Sequence, residues 1–313
     1  MIEIILKIVF MGTPEFAVPS LKGFNSNHDV VAVFTQSQKP AGRGMKSKKT
    51  PINLIAEKLG LPIYTPKNLS KNDVYLLLKS FNFDFIIVVA YGLILPKKIL
   101  QTPKFIPING HASLLPKWRG AAPIQRSIEA GENLTGCTAM LMEPGLDSGP
   151  ILLQKKLNLL KNDDSISIHQ KLSYLTADCL LQAVDKFEKG KIQPKIQNPL
   201  KVTYAKKLIK EEGLIDWKIS SFKIYDKLRA FRPFPGLYTI LNGIKLKIID
   251  GIPIKLIHNQ KEGTVLENKF KLIIACGNNT AFSILKIQKP GKNKLNYSEF
   301  LKGTQIEKGY LFE

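Results

Sequence analysis

The sequence has 313 residues, 44% of them hydrophobic and 23% charged, with 46 Lys and Arg against 25 Asp and Glu for a formal net charge of +21. That length exceeds one ordinary hydrophobic core and predicts two domains of globular composition, and no apolar run reaches the roughly 18 residues that a membrane span requires. Cys137, Cys179 and Cys276 are too few and too far apart for a disulfide framework or a metal-ligand cluster, so no metal is expected and all three read as small buried side chains.

The opening residues, Met1 to Phe10, lack a basic leader and a small-residue cleavage site, so they read as a first strand of a cytoplasmic chain and not as a signal peptide. Strands are predicted at residues 4–11, 30–35, 83–90, 106–108, 135–142 and 151–156, and helices at 14–24, 50–59, 73–80, 123–130 and 165–188. This alternation predicts an α/β fold, a Rossmann-like and mainly parallel sheet with helices on both faces. In the first turn, Thr13 is placed as a helix cap with Pro14 at the first helical position and Glu15 behind it. The turn lacks the G-x-G-x-x-G pattern, which argues against an NAD-type dehydrogenase.

From Gly190 the chain turns Lys-, Gln- and Pro-rich without periodicity, as linkers do. The expected division is a catalytic domain at 1–189, a linker at 190–205 and a smaller C-terminal domain at 206–313. In the last part, a helix at 221–231 precedes short strands at 244–249, 263–266, 271–275 and 282–286, which predicts an OB-like β-barrel. Residues 206–313 carry a net +10 and the first 205 residues a net +11. The denser charge at the end suits a polyanionic partner such as nucleic acid.

The most informative stretch is Asn109-Gly110-His111-Ala112-Ser113-Leu114-Leu115-Pro116. In an extended segment Asn109, His111 and Ser113 project to the same side, following an apolar lead-in from Phe105 to Ile108. They fall at the C-terminal end of a strand, where open α/β sheets bind ligands. An Asn-x-His pair alone is more often a strand edge whose polar residues cap the next turn. A second cluster, Glu143-Pro144-Gly145-Leu146-Asp147-Ser148-Gly149-Pro150, fixes one carboxylate in a tight loop, although Asp147 alone suits an ordinary Asx turn.

Together these two segments resemble the formyltransferase family that uses 10-formyltetrahydrofolate. The resemblance runs through Met11 to Ala17, Lys39 to Gly44, Val89 to Pro96, Arg119 to Arg126, Val202 to Lys207, Ile215 to Trp217 and Arg229 to Gly236. It implies transfer of a formyl group from 10-formyltetrahydrofolate, the co-substrate, to the α-amine of methionine esterified to initiator tRNA. No obligate protein partner and no membrane are implied.

Asn109, His111 and Asp147 are then the catalytic residues: His111 as base and donor, Asn109 as donor to the oxyanion, and Asp147 orienting the imidazole. Ser113, Leu114, Leu115, Pro116, Val89, Tyr91 and Gly92 match the folate-holding segments, although the leucine pair also suits core packing. Arg43, Lys46, Lys48 and Lys49 match a loop that reaches the tRNA acceptor end, and Lys206 and Lys207 open the domain expected to bind the tRNA. A charge run of this kind also suits a solvated loop. The family pattern has Gly where this sequence has Ala112, and Pro-Asp where it has Ser37-Gln38. Rival readings are a formyltransferase acting on glycinamide ribonucleotide or an amino sugar, or an RNA-binding module without activity.

Overall fold

The computed structural model describes residues 5–41, 46–102 and 106–313. Ile4, which begins the first predicted strand, and Phe105, which opens the apolar lead-in to the fourth, lie outside the described residues. The chain divides into two compact units: Met1–Pro123, Leu134–Asn158 and His169–Ala205 form the first, and Ile124–Asn133, Leu159–Ile168 and Lys206–Glu313 the second.

In chain order the first unit carries β1 (Lys7–Gly12), α1 (Val18–Asn27), β2 (Asp29–Phe34), the short hairpin β3 (Lys39–Ala41) and β4 (Lys46–Lys48), α2 (Pro51–Lys58) and β5 (Ile63–Tyr64). It continues through α3 (Asn72–Ser80), β6 (Phe85–Val89), α4 (Lys97–Leu100), β7 (Pro107–His111) and β8 (Arg119–Gly120), and α5 (Pro123–Glu129) starts at its edge. Then follow β9 (Leu134–Leu141), β10 (Ile151–Asn158), most of α6 (Ser165–Glu188) and β11 (Tyr204–Ala205).

Seven strands form one sheet in the order β10-β9-β7-β6-β1-β2-β5. The five from β7 to β5 run parallel, whereas β9 is antiparallel to β7 and β10 to β9. This is the mainly parallel sheet the sequence predicts. Its central strands are buried on both faces, which is why β1 and β6 read as unbroken apolar runs instead of alternating. One core cluster joins Val9, Met11, Phe34, Leu78, Ile86, Val88 and Tyr91.

Two local expectations change. Thr13 does not cap a helix, because its hydroxyl donates to the Tyr91 carbonyl at 2.7 Å and so ties the end of β1 to the loop after β6. The chain passes instead through a 3-10 turn at Glu15–Ala17 before α1 begins at Val18. The fourth predicted strand also runs further, to His111, because β9 pairs with it: Asn109 faces Met140 and His111 faces Thr138.

The second unit contains α7 (Ser221–Ala230), then β12 (Leu237–Leu241), β13 (Ile244–Lys255), β14 (Val265–Glu267), β15 (Leu272–Cys276), β16 (Thr280–Gln288), β17 (Lys294–Asn296) and α8 (Tyr297–Lys302). The antiparallel sheet has the order β12-β13-β16-β15-β14, with β17 on β16, an OB-like arrangement. The C-terminal residues link its two outer strands. Glu313 exchanges two backbone hydrogen bonds with Ile240 of β12, at 2.8 and 2.9 Å, and Val265 of β14 donates to the Tyr310 carbonyl at 2.8 Å. Phe312 is buried there, edge-on to Trp217 with ring centroids 6.3 Å apart.

On α5, Arg126 makes a bidentate pair with Glu212 at 2.6 and 3.0 Å and a third contact to Glu129 at 2.7 Å, so its charge is spent inside the unit. Among the described residues no helix is long and apolar enough to cross a membrane.

Candidate active site

The site in the first unit is built on the end of β7. Asn109 and His111 sit two residues apart and share a face, and both are buried. The intervening Gly110 is demanded by packing: a Cβ there would stand 2.7 Å from Thr176 Cγ2 and 2.8 Å from Leu180 Cδ1, both on α6. Only a residue without a side chain lets α6 lie this close behind the strand.

After β7 the chain turns through Trp118, which has φ +62°, and returns to the imidazole. His111 Nε2 lies 2.9 Å from the Trp118 carbonyl oxygen, which can only accept, so this nitrogen carries the proton. The turn is fixed by the chain near β11: Trp118 N–H donates to Thr203 Oγ1 at 2.9 Å, and Arg119 N–H to the Thr203 carbonyl at 2.9 Å.

With Nε2 engaged, Nδ1 faces the loop after β9. Asp147 Oδ2 is 3.6 Å from Nδ1 and accepts a 2.8 Å hydrogen bond from Gly120 N–H. Asp147 adopts φ +47°, a left-handed backbone that turns its carboxylate inward. The structure therefore brings His111 and Asp147 together from sequence positions 36 apart. The Asn109 carboxamide makes no hydrogen bond to any described residue, which leaves both of its polar atoms for a ligand.

Of the predicted folate-holding residues, Ser113 is fully buried and its hydroxyl donates to the Lys117 carbonyl at 2.6 Å. Leu115 is buried with both backbone groups engaged, its N–H by Thr138 Oγ1 at 3.1 Å and its carbonyl by Gln154 Nε2 at 2.9 Å. Leu114 and Pro116 are half-buried beside it. Val89 is buried at the end of β6 and Gly92 is exposed beyond it, with φ +78°.

The Tyr91 ring packs into the core cluster, and only its carbonyl reaches the loops, accepting from Thr13 and from Gln36 Nε2 at 3.0 Å. Burial pushes the Tyr91 phenol well above its ordinary range and leaves its hydroxyl without a partner. Arg43 lies outside the described residues, and Lys46 is described only as backbone in β4. Lys48 and Lys49 are exposed, and Lys49 pairs with Glu57 at 2.5 Å. In the second unit Lys206 and Lys207 are exposed, and the Lys206 carbonyl accepts from Arg126 Nε at 3.1 Å.

Sequence reasoning does not find the Trp118 carbonyl or the Gly120 N–H, because a backbone group leaves no residue-type signal. Among the described residues no group of three or more His, Cys, Asp or Glu could hold a metal ion.

Asn109 and His111 stand at the C-terminal end of a strand of this mainly parallel sheet, where open α/β sheets bind ligands, and the loop after β9 brings Asp147 to His111. The chain belongs to the formyl transferase family: residues 6–184 match the family's model and residues 207–305 that of its C-terminal domain. It is 43% identical to the methionyl-tRNA formyltransferase of Caldanaerobacter subterraneus, covering 98% of this chain and 100% of that one. It is 40% identical to that of Nitrosospira multiformis, covering 98% and 99%. Among solved structures, an N-formyltransferase from Helicobacter canadensis with folinic acid and dTDP-3-aminofucose superposes with a TM-score of 0.67 at 19% identity, covering 91% of this chain and 100% of that one. HypX from Aquifex aeolicus with tetrahydrofolic acid superposes at 0.62 and 17% identity, covering 97% and 50%.

Proposed function

We propose that this chain transfers a formyl group from 10-formyltetrahydrofolate to the α-amine of methionine on initiator methionyl-tRNA, in the cytoplasm, for the start of translation. The observation that carries the reading is the His111–Asp147 pair, 3.6 Å apart beside the unpartnered Asn109 amide. The identity to methionyl-tRNA formyltransferases along the whole chain supports this choice of acceptor.

An α-amine titrates at about 8, so a neutral fraction exists near neutral pH, and a base that takes one proton from that neutral amine as it attacks lets the new C–N bond form. With the proton on Nε2 held by the Trp118 carbonyl, Nδ1 presents the lone pair, and the Asp147 carboxylate stabilises the imidazolium that forms. The amine nitrogen attacks the formyl carbon, and the developing oxyanion takes a hydrogen bond from the Asn109 amide. Collapse breaks the bond from the formyl carbon to the folate nitrogen, which leaves with the proton that His111 received. In this tautomer the Trp118 carbonyl takes the orienting place that a carboxylate holds in a hydrolytic triad, and Asp147 acts on the positive charge that forms at Nδ1, without a protein nucleophile.

The basic C-terminal unit, with Lys206 and Lys207 at its start, supplies phosphate contacts to the tRNA, and Arg43, Lys46, Lys48 and Lys49 supply more. The test is a transfer assay with 10-formyltetrahydrofolate and three acceptors: initiator methionyl-tRNA, elongator methionyl-tRNA and an amino-sugar nucleotide. Formylation of the initiator species is expected. No transfer to it, or transfer to the sugar instead, overturns the reading.

A further inference from the structure

Gln197 lies in the aperiodic stretch before the second unit, where the sequence gives no functional signal, yet it is 5% exposed and every polar atom of its side chain is used. Its Nε2 donates at 2.8 Å to the Asp147 carbonyl and at 2.8 Å to the Gly149 carbonyl. Its Oε1 accepts from Arg119 Nε at 3.1 Å and from Arg119 Nη2 at 2.8 Å. The orientation of the amide follows from chemistry, since two carbonyls can only accept and a guanidinium can only donate.

One carboxamide therefore grips both ends of the Asp147-Ser148-Gly149 turn and, through Arg119, the strand residue just before Gly120. Gly120 N–H is the group that holds the Asp147 carboxylate, at 2.8 Å. The chain around Gln197 is itself anchored, because Lys195 and Ile151 exchange two backbone hydrogen bonds of 2.8 Å. Gly149 admits no adjustment, as a Cβ there would meet the Leu141 carbonyl oxygen at 1.8 Å.

We infer that Gln197 is a positioning residue for the transfer reaction, fixing the turn that carries Asp147 so that its carboxylate stands against His111. The inference rests on the proposed roles of His111 and Asp147. Asp147 holds a left-handed backbone that Asp tolerates in turns, and the donor on its carbonyl helps to fix which turn it adopts. Without that donor the turn relaxes, and the carboxylate leaves its place beside Nδ1.

The test uses the full-length protein and a kinetic cycle. Gln197→Glu keeps an acceptor for Arg119 but sets oxygen against the two carbonyls; Gln197→Asn keeps the amide one methylene short. A displacement of about 1 Å at a reacting group costs up to roughly 100-fold in rate, so both variants should lose about 10- to 100-fold in kcat. KM for both substrates should stay within about twofold. In an Asp147→Asn background either change should alter kcat less than about twofold, because the group being positioned is already gone.

Losses that multiply in the double variant, a loss expressed in KM, or an unchanged kcat in the single variants overturn the role. Should Gln197→Glu fail to fold, Gln197→Asn carries the cycle alone. Wild-type protein that transfers no formyl group would instead overturn the reading of the site, an outcome separate from any result on Gln197.

Discussion

Replacing Gly110 by Ala tests whether the candidate catalytic face of β7 depends on its contact with α6. The added Cβ would fall 2.7 Å from Thr176 Cγ2, 2.8 Å from Leu180 Cδ1 and 3.3 Å from Leu180 Cγ, where carbon atoms ordinarily rest about 3.5–4.0 Å apart. Relief requires a shift of about 1 Å, either of α6 or of the strand that carries Asn109 and His111. Both helix side chains are fully buried, so neither has solvent to swing into. Overpacking of this kind costs about 1–3 kcal/mol, which at about 3 °C per kcal/mol lowers Tm by roughly 3–9 °C. A strand displaced by a similar distance loses up to about 100-fold in kcat. Thermal unfolding and steady-state transfer assays measure the two effects. Thr176→Ser with Leu180→Val removes the two nearest carbons and should restore part of both losses in the same variant. A Gly110→Ala protein with wild-type Tm and kcat would refute the argument from close approach.

Three further outcomes are expected. On the proposed role of His111 as base and donor, His111→Ala should lower kcat by several orders of magnitude while leaving folate binding within a few-fold; calorimetric titration beside the transfer assay separates the two. Phe312→Ala should cost about 3–5 kcal/mol in the unfolding of the second unit, because it empties a buried aromatic site against Trp217 where the C-terminal residues bridge β12 and β14. Glu212→Gln should weaken the same unit by about 1 kcal/mol near pH 7, a figure kept small by solvent at a side chain 26% exposed. Its sign with pH is fixed: the hydrogen bonds from Arg126 hold the Glu212 carboxyl below its ordinary value. That stabilisation is present above the ordinary carboxylate range and is lost as pH falls through the lowered value, so variant and wild type should converge in acid.

Local chemistry made the site legible. Asn109 and His111 show themselves by alternate spacing, and the Pro- and Gly-rich frame around Asp147 marks a rigid turn, because both are properties of a few consecutive residues. The long periodic helix Ser165–Glu188 has the bounds that its sequence pattern predicts. What the sequence hides depends on partners distant in the chain. The extension of β7 to His111 needs β9, roughly 30 residues on, to pair with it. Thr13 carries every local mark of a helix cap, yet its hydroxyl goes to a carbonyl 78 residues away. Tyr91 sits in a motif that resembles the family's folate-holding segment, but its ring turns into the core and its carbonyl meets the loops. Neither β12 nor the hydrogen bonds from Glu313 to Ile240 have a periodic signal, since each is short and defined by its partner.

Backbone conformation gives an independent measure of where the first unit concentrates its constraint. Its described residues include three non-glycine positions with positive φ: Ala90 at +45°, Trp118 at +62° and Asp147 at +47°. They follow β6, β7 and β9, and two of them, Trp118 and Asp147, face the His111 ring. The three in the second unit are Asn242, Asn278 and Asn279, a residue type that accepts this conformation readily in turns. Ala and Trp have no such tolerance, and each costs on the order of 1–2 kcal/mol in that region. One of these two costly positions, Trp118, therefore stands against His111. The benefit is geometric. At Trp118 the left-handed turn aims a carbonyl at Nε2 and selects the imidazole tautomer, and at Asp147 it points a carboxylate at Nδ1. One strained residue and one left-handed aspartate thus face the two nitrogens of one ring.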